Sequence, residues 1–418
     1  MNDIQHIAIG VPANRGGRFK VTVIILCIIF VLSVFLFTYT LATHPSGALW
    51  GFLLANFIFL LGISQFGIAF SAIMRICNAN WARSYYRLAE CFTLAFAPLA
   101  IIGFLYIYCY GSQHLFYWLA DSPGVHHSPW LDHTFLFYRN LIAQLVFYII
   151  AIIYFLMGLL PDISMQDAKS GPAWRNWLYR KLLSMKKGKN EKALQRKVYL
   201  LSPVILIAVV IPNTLIAWDF GMMLIPHYHS TVFPMYFIMG NMFAGTAAIL
   251  ILVVILSRYI SINSYFQTVH VQSMGVLLTG FALFWLYFFW AQFFVSWFGN
   301  LPNEYGVLAK QMYGHYAPVF WIMIVCNFII PIASLIFLKV KQTWWMMTLV
   351  AIIINLGIWL NRYLIVVPAL ADDHYPLSSL TEFGITAGLV SGFLLFLFLL
   401  FNTFPVVSMW ELRNIEKS

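Results

Sequence analysis

Long apolar segments follow one another along most of the chain and alternate with short polar segments. A helix needs about 20 mainly apolar residues to cross a membrane, and ten segments of this sequence satisfy that condition. Because lipid offers no partners for backbone amides, such segments fold as helices that pack into a bundle. The fold class is therefore predicted to be an all-α polytopic membrane protein. The predicted spans are Val21–Ala42, Ala48–Ile76, Leu88–Tyr110, Thr134–Leu160, Tyr199–Gly221, Thr231–Leu256, Val271–Phe298, Tyr316–Leu338, Trp344–Val367 and Glu382–Phe404.

The composition of the chain supports this class. Hydrophobic residues make up 62% of the 418 residues and charged residues 9%, whereas soluble domains average about 45–50% and 25%. The first apolar segment is too long for a signal peptide and is predicted to be a membrane helix. The five cysteines lie in or beside apolar segments without close pairs. They predict neither disulfides nor a metal or iron–sulfur site.

Lysine and arginine are distributed unequally between the two sides of the predicted bundle. Segments on one side hold 21 of the 24 basic residues, and the positive-inside rule identifies that side as cytoplasmic. The predicted organisation is a cytoplasmic N-terminus (1–20), helices one to four (21–160), a basic cytoplasmic loop (161–198), helices five to ten (199–404) and a cytoplasmic C-terminus (405–418).

The basic loop accounts for much of the formal net charge of +10. Ten basic residues lie between Lys169 and Lys197, and their plainest interpretation is that they determine the topology. Contact with anionic lipid headgroups is the alternative. The net charge therefore gives no indication of nucleic-acid binding.

Histidines show the opposite distribution. Nine of the eleven fall on the predicted outer side, where Trp and Tyr residues are also dense, as at any membrane interface. Enrichment in histidine is not a general property of such interfaces, and histidine exchanges protons near neutral pH. The outer histidines are His44, His114, His126, His127, His133, His227, His229, His315 and His374.

Two charged side chains are predicted inside the outer half of the bundle. Arg139 lies about two turns inside helix four, and Asp219 lies near the end of helix five. Each costs about 2.5–3.5 kcal/mol near mid-membrane unless it finds a partner. A structural ion pair between Arg139 and Asp219 and a functional role for the acid therefore both stay open.

This pattern suits the oxidation of a quinol, which releases electrons and protons together. Such a site needs an apolar slot for the ring, polar groups at its hydroxyls and a route for the protons. Asp219, together with His114 or His227, is predicted to accept the protons. The predicted quinol-binding residues are Asp132, His133, Arg139, Asp219 and His229.

The predicted inner end carries a second group of charges. Arg87 and Glu90 are three residues apart near the start of helix three, which predicts a local salt bridge. A proton-uptake role for Glu90 is the alternative, and Glu90, Asp219 and Arg362 are the predicted members of a proton path. No predicted helix interior holds a facing pair of histidines for a haem. Electrons from a quinol would therefore pass directly to a partner subunit.

Several segments carry a pattern that extends over most of the chain: SAIMRICNANWARSYYRLAECFTL (71–94), YFLMGLLPD (154–162), DFGMMLIPHYHSTVFPMYFIMG (219–240) and NRYLIVVPAL (361–370). They resemble the NrfD/PsrC-like integral membrane subunits of respiratory oxidoreductases. Within that family the sequence is most similar to the quinol-interacting subunits, of the ActC and ActF type, of alternative complex III.

The resemblance implies both a fold and a function. Ten helices would form two four-helix bundles, helices two to five and six to nine, with two flanking helices. Menaquinol or ubiquinol would be oxidised near the periplasmic face of a bacterial inner membrane, with proton translocation as a further expectation. A periplasmic iron–sulfur subunit would take the electrons. Multihaem cytochrome c subunits, a second NrfD-like subunit and lipids would be further partners, and this chain would bind no haem or iron–sulfur cluster itself.

By position, the resemblance gives functional roles to Asp219, His114 and Glu90. The sequence departs from the family pattern at Asn361, where an acid is expected before the arginine of helix nine, and at Gln65, where a histidine is expected. A paralogous scaffold or proton-conducting subunit without a quinol site is therefore the alternative. A secondary transporter is disfavoured, because the ionisable groups crowd one face of the membrane rather than the midplane.

Overall fold

The structure is a computed structural model that describes residues 17–43, 46–120, 129–164, 172–186, 190–225, 227–259, 262, 265–300 and 302–413. Within these residues ten helices are long and apolar enough to cross a membrane, which confirms the predicted all-α class. The helices are α1 (Gly17–Thr43), α2 (Gly47–Ile76), α3 (Asn80–Leu115), α4 (His133–Asp162), α5 (Glu191–Met222), α6 (Phe233–Ser257), α7 (Thr268–Gly299), α8 (Gly314–Leu335), α9 (Trp344–Ala369) and α10 (Leu380–Thr403).

Most helix ends lie within a few residues of the predicted ones, but two helices begin eight residues earlier than predicted. α3 begins at Asn80 rather than at Leu88, and α5 begins at Glu191 rather than at Tyr199. In both helices the first two turns are rich in polar residues. A prediction based on apolar segments alone therefore misses these turns.

The helices pack as two bundles with two flanking helices, as the resemblance implied. α2 to α5 pack together, and α6 to α9 pack together. α2 also contacts α6 and α9, which joins the two bundles. α1 and α10 pack on each other, and α10 contacts α2 and α3.

Burial separates the central helices from the peripheral ones. In the apolar part of α2, 94% of the residues are buried, against 11% in α1. α2 is therefore surrounded by protein, whereas α1 presents most of its side chains to the outside of the bundle. Exposed residues of α1 are aliphatic and aromatic, including Ile24, Leu32 and Phe35, as expected for contact with lipid.

The predicted basic loop 161–198 is not a loop throughout. It contains a helix, Ala173–Lys186, and it also contains the first turns of α5. The Lys186 ammonium donates to the backbone oxygens of Pro161 and Ile163 at 3.2 and 3.1 Å. The apolar side of this helix packs on the protein, since Tyr179 donates to the backbone oxygen of Thr403 at 2.8 Å.

The two ends of the bundle differ in their side chains. We call the end at which the even-numbered helices begin the histidine end, and we call the opposite end the basic end. His44, His126 and His127 lie outside the described residues. Among the spanning helices, three contain a single π-helical turn: Ile107–Gly111, Trp218–Met222 and Val325–Ile329. Such turns are frequent at functional sites, and the second contains Asp219.

Candidate functional site

Asp219 lies at the histidine end of α5, and its carboxylate is fully buried. Arg139 donates from Nε to Oδ2 at 2.8 Å and from Nη2 to Oδ1 at 2.7 Å. Asn140 Nδ2 donates to Oδ2 at 2.5 Å, and Trp130 Nε1 donates to Oδ1 at 3.0 Å. Both carboxylate oxygens therefore accept two hydrogen bonds each.

The guanidinium of Arg139 is enclosed to a similar degree. Its Nη1 donates to the backbone oxygen of Trp130 at 2.7 Å. Its central carbon lies 4.1 Å from the ring centroid of Trp130 and 4.8 Å from that of Phe135, which adds cation–π attraction. Two parallel N–H···O bonds between arginine and carboxylate are a strong geometry. The ion pair with Asp219, one of the two interpretations left open by the sequence, is therefore present.

Two predicted quinol-binding residues at the start of α4 have other partners. Asp132 Oδ1 accepts a hydrogen bond from the backbone amide of Phe135 at 2.6 Å, so Asp132 caps the helix. His133 Nδ1 lies 3.0 Å from the Tyr108 hydroxyl, and the two rings stack with centroids 4.3 Å apart. The other ring nitrogen of His133 is buried without a hydrogen-bond partner.

Two predicted proton acceptors, His114 and His227, lie apart from the ion pair. His114 is exposed at the end of α3 and stacks on Trp50, with ring centroids 6.1 Å apart. His227 is exposed in the loop after α5. In the described part of the chain, neither histidine is among the hydrogen-bond partners of Asp219.

An open cavity of about 470 Å³ lies at the histidine end, between the last turn of α5, the loop that follows it, and α7. Its wall combines apolar and polar side chains in similar number, and polar groups in a binding site fix the orientation of a small molecule. His229, a predicted quinol-binding residue, is part of this wall. The other residues that form it are Trp218, Met222, Ser230, Thr231, Val232, Ala291, Gln292, Val295, Ser296 and Glu304.

Trp218 connects the open cavity to the ion pair. Its ring packs edge-on against that of Trp130, with centroids 5.6 Å apart. Trp130 in turn donates its indole hydrogen to Asp219 at 3.0 Å. Asp219 therefore lies behind the wall of the cavity, separated from it by two indole rings.

The salt bridges at the basic end differ from the predicted one. Glu90 Oε1 lies 2.7 Å from Arg75 Nη1, and Arg87 Nη2 lies 3.1 Å from Asp162 Oδ2. The predicted local pair of Arg87 with Glu90 is therefore wrong. Each side chain instead meets an opposite charge on a neighbouring helix, in surroundings where all four residues are largely or fully buried.

The C-terminal helix Met409–Arg413 packs onto this group of charges. Glu411 Oε1 accepts from Arg75 Nη2 at 2.6 Å, and the backbone amide of Trp410 donates to Asp162 Oδ1 at 2.9 Å. Burial raises the pKa of the Glu411 carboxyl, and the nearby Arg75 opposes that rise. The basic end of the first bundle is thus covered by the C-terminal part of the described chain.

Arg362 is fully buried in α9, where the structure describes no carboxylate bonded to it. Its Nη1 donates to Asn361 Oδ1 at 3.0 Å. Its Nη2 donates to the backbone oxygen of Phe237 at 2.7 Å and to Asn241 Oδ1 at 2.9 Å. The guanidinium also lies 3.7 Å from the ring centroid of Phe237. Neutral oxygens and one aromatic ring are therefore its neighbours.

The three predicted members of a proton path lie far apart in the fold. Glu90 is at the basic end of the first bundle, Asp219 is at the histidine end of α5, and Arg362 is in the second bundle. No hydrogen bond between described residues joins any two of the three. The proton path stays a prediction.

Some residues of the site were not predicted from the sequence. Asn140 directly follows Arg139, so its position on the same helix turn was a usable signal. Trp130 lies in the short 3₁₀ helix Pro129–Leu131, and no pattern in the sequence predicts its contact with Asp219. Gln292 on α7 and Glu304 on the helix Pro302–Met312 line the same cavity as His229, and no spacing along the chain indicates this.

The comparison with protein families gives a match over most of the chain. The family described as "Polysulphide reductase, NrfD" matches residues 40–371. The chain belongs to the NrfD family. The match spans α2 to α9, and thus both bundles of this NrfD chain, whereas α10 lies beyond it. Members of the family are membrane subunits of redox complexes that typically interact with quinones and partner with iron–sulfur subunits. The comparison with curated proteins gives no significant match.

Proposed function

We propose that this NrfD chain is the quinol-binding membrane subunit of a bacterial respiratory complex of the alternative complex III type. The observation that carries the proposal is the open cavity of about 470 Å³ at the histidine end. It combines the indole of Trp218 and a few aliphatic side chains with polar ones, a combination that suits a ring carrying two hydroxyl groups.

The wall of the cavity supports a binding mode for the quinol ring. The ring packs against Trp218 and Met222, while its hydroxyl groups approach His229 and the opposite polar wall. His229 is exposed and can therefore pass a proton to water. Electrons leave to an iron–sulfur subunit at the same end of the bundle, and from there to cytochrome c partners.

The ion pair behind the wall has a positioning role in this proposal. Both oxygens of Asp219 already accept hydrogen bonds, which disfavours Asp219 as the first proton acceptor. Its bonds to Arg139 and Trp130 hold the indole rings that separate it from the cavity. A rigid wall of this kind keeps a bound ring in one orientation, which favours reaction.

Blocking the cavity tests the proposal. Ala291 lies in its wall, and Ala291→Phe fills the space that the quinol ring would occupy. We expect quinol-dependent reduction of cytochrome c by the assembled complex to fall at least about tenfold, with the binding of a quinone analogue lost in parallel. Val276→Phe is the matched control, because Val276 is exposed on the same helix away from the cavity. Normal turnover of Ala291→Phe would contradict this site.

A scaffold or proton-conducting subunit without a quinol site is the second candidate. The closed set of hydrogen bonds around Asp219 favours the scaffold, since a carboxylate that exchanges protons needs an accessible oxygen. A cryo-electron microscopy map of the whole complex with a tight-binding quinone analogue separates the two. Density for the analogue in the cavity supports the first function, and an empty cavity in a complex that still oxidises quinol supports the second.

A further inference from the structure

A second, smaller cavity of about 40 Å³, which we call the inner cavity, adjoins the open one. The two share Gln292, Ser296 and Glu304 as a common wall. A cavity needs about 10–15 Å³ to hold one water molecule, so the inner cavity has room for water. Glu304 therefore stands between a space of ligand size and a space of water size, and it is the acidic residue in both walls.

Hydrogen bonds hold the common wall in place. Gln292 donates from Nε2 to the Tyr228 hydroxyl at 2.5 Å, and Ser230 Oγ donates to Gln292 Oε1 at 2.5 Å. Burial raises the pKa of the Tyr228 phenol, which keeps it neutral. In the part of the chain that the structure describes, Glu304 is in contrast engaged in no hydrogen bond or ion pair. Of the three side chains in the common wall, that of Glu304 is therefore the one available to a ligand.

A fixed positive charge lies on the far side of the inner cavity. Tyr236 lines that cavity, and its hydroxyl accepts a hydrogen bond from Asn361 Nδ2. Asn361 Oδ1 accepts from Arg362 Nη1 at 3.0 Å, and the Nε of Arg362 is buried without a partner. A buried arginine without a bonded carboxylate is an electrostatic barrier to protons. Tyr236 and Asn361 thus connect the inner cavity to Arg362, whose positive charge repels protons.

We propose that Glu304 is a catalytic residue that accepts a proton from the quinol bound in the open cavity. This inference rests on the function proposed above. One O–H bond of the quinol breaks, its proton passes to a Glu304 carboxylate oxygen, and one electron passes to the iron–sulfur partner. The other hydroxyl loses its proton to His229, and the second electron follows the first. The products are a quinone, two protons and a partner reduced by two electrons.

The charge arrangement also gives the direction in which the proton leaves. Arg362 opposes its passage into the second bundle, so the proton held by Glu304 returns through the open cavity to the histidine end. The other titratable groups of the two cavities are His229 in the open one, and Tyr228 and Tyr236 in the inner one. On the helix of Glu304, Lys310 is paired with Asp372 at 2.7 Å.

Substitution of Glu304 in the assembled complex tests the proposal. Because a general base contributes about 10²-fold or more to a rate, we expect Glu304→Gln to lower kcat about 10²-fold. The KM for quinol and the affinity for a quinone analogue should change less than about twofold. Glu304→Asp should recover part of kcat and shift the acidic limb of the pH profile, which a merely structural residue would not do. Asp373→Asn is the matched control, since Asp373 is an exposed acid at the same end.

Each outcome of this experiment decides something. If Glu304→Gln keeps kcat within twofold of wild type while Ala291→Phe, in a separate variant, abolishes activity, the role of Glu304 is overturned and the quinol site stands. A wild-type complex that neither oxidises quinol nor binds the analogue would overturn both proposals. If Glu304→Gln prevents assembly, the decision falls to Glu304→Asp, and an unchanged pH profile there would overturn the role.

Discussion

Arg139 and Asp219 compensate each other's charge in apolar surroundings at the histidine end. Breaking a buried pair by removing one partner costs about 3–5 kcal/mol, because the other charge stays buried. We therefore expect Asp219→Asn to lower the thermal unfolding midpoint of the detergent-solubilised protein. The double variant Arg139→Met with Asp219→Leu removes both charges and should recover most of the lost stability.

The control for this experiment is Glu191→Gln, which removes an exposed carboxylate from the same helix. It should leave the unfolding midpoint unchanged. An Asp219→Asn variant that is as stable as wild type but does not oxidise quinol would contradict the positioning role. The proton-accepting role predicted from the sequence for Asp219 would then be the better explanation.

At one end of the bundle the structure shows an ion pair that the sequence left open as one of two interpretations, and at the other end it contradicts the predicted pair. The number of charges that compete for each partner explains both outcomes. Arg139 and Asp219 are isolated charges within apolar helices, so few partners compete for either. Arg87 and Glu90 lie near helix ends where other charges are close, and there the tertiary partners Asp162 and Arg75 (bonded at 3.1 and 2.7 Å) prevail over the local spacing.

At the scale of elements, Asp132 at the start of α4 can be tested for a capping role against the quinol-binding role predicted from the sequence. Asp132 accepts from the amide of Phe135 at 2.6 Å, and replacing such a cap by alanine costs about 0.5–2 kcal/mol, whereas asparagine is an equally good cap. We expect Asp132→Ala to lower the unfolding midpoint, and Asp132→Asn to keep both the midpoint and quinol oxidation close to wild type.

The variants Asp132→Ala and Asp132→Asn can also give a result that contradicts the capping role. If the negative charge of Asp132 binds the quinol, as the sequence predicted, then Asp132→Asn will be stable but slow. Thermal unfolding and quinol-dependent cytochrome c reduction, measured on one preparation, distinguish the two. Ser379→Ala, which removes the side-chain cap at the start of α10, calibrates the effect of losing a cap without touching the site.

Elements that cross the membrane were predictable, and elements beside it were not. An apolar stretch of sufficient length leaves a helix as the only satisfactory backbone structure, so all ten spans could be recognised. The helix Ala173–Lys186 carries charges and buries only one side, so it does not appear in a search for apolar segments. The helix Pro302–Met312, which brings Glu304 to the cavities, was not predicted for the same reason.

At the scale of the whole molecule, a chain of buried carboxamides joins the two bundles. Gln65 of α2 donates to Gln144 of α4 at 2.6 Å and accepts from Asn213 of α5 at 2.8 Å. Asn241 of α6 donates to Asn213 at 2.9 Å and accepts from Arg362 of α9. Polar residues scattered through apolar helices are thus satisfied by one another across helices. The sequence shows each residue but not their order in space.

Orientation in the membrane decides on which side the proposed reaction releases protons. Because 21 of the 24 basic residues belong to segments on one side, the positive-inside rule favours a cytoplasmic basic end. In a background without native cysteines, we expect a membrane-impermeant maleimide to label Asp373→Cys in intact spheroplasts. Ser184→Cys, exposed on the helix Ala173–Lys186, should be labelled only after permeabilisation. The reverse pattern would place the open cavity on the cytoplasmic side, and protons from quinol would then be released into the cell rather than outside it.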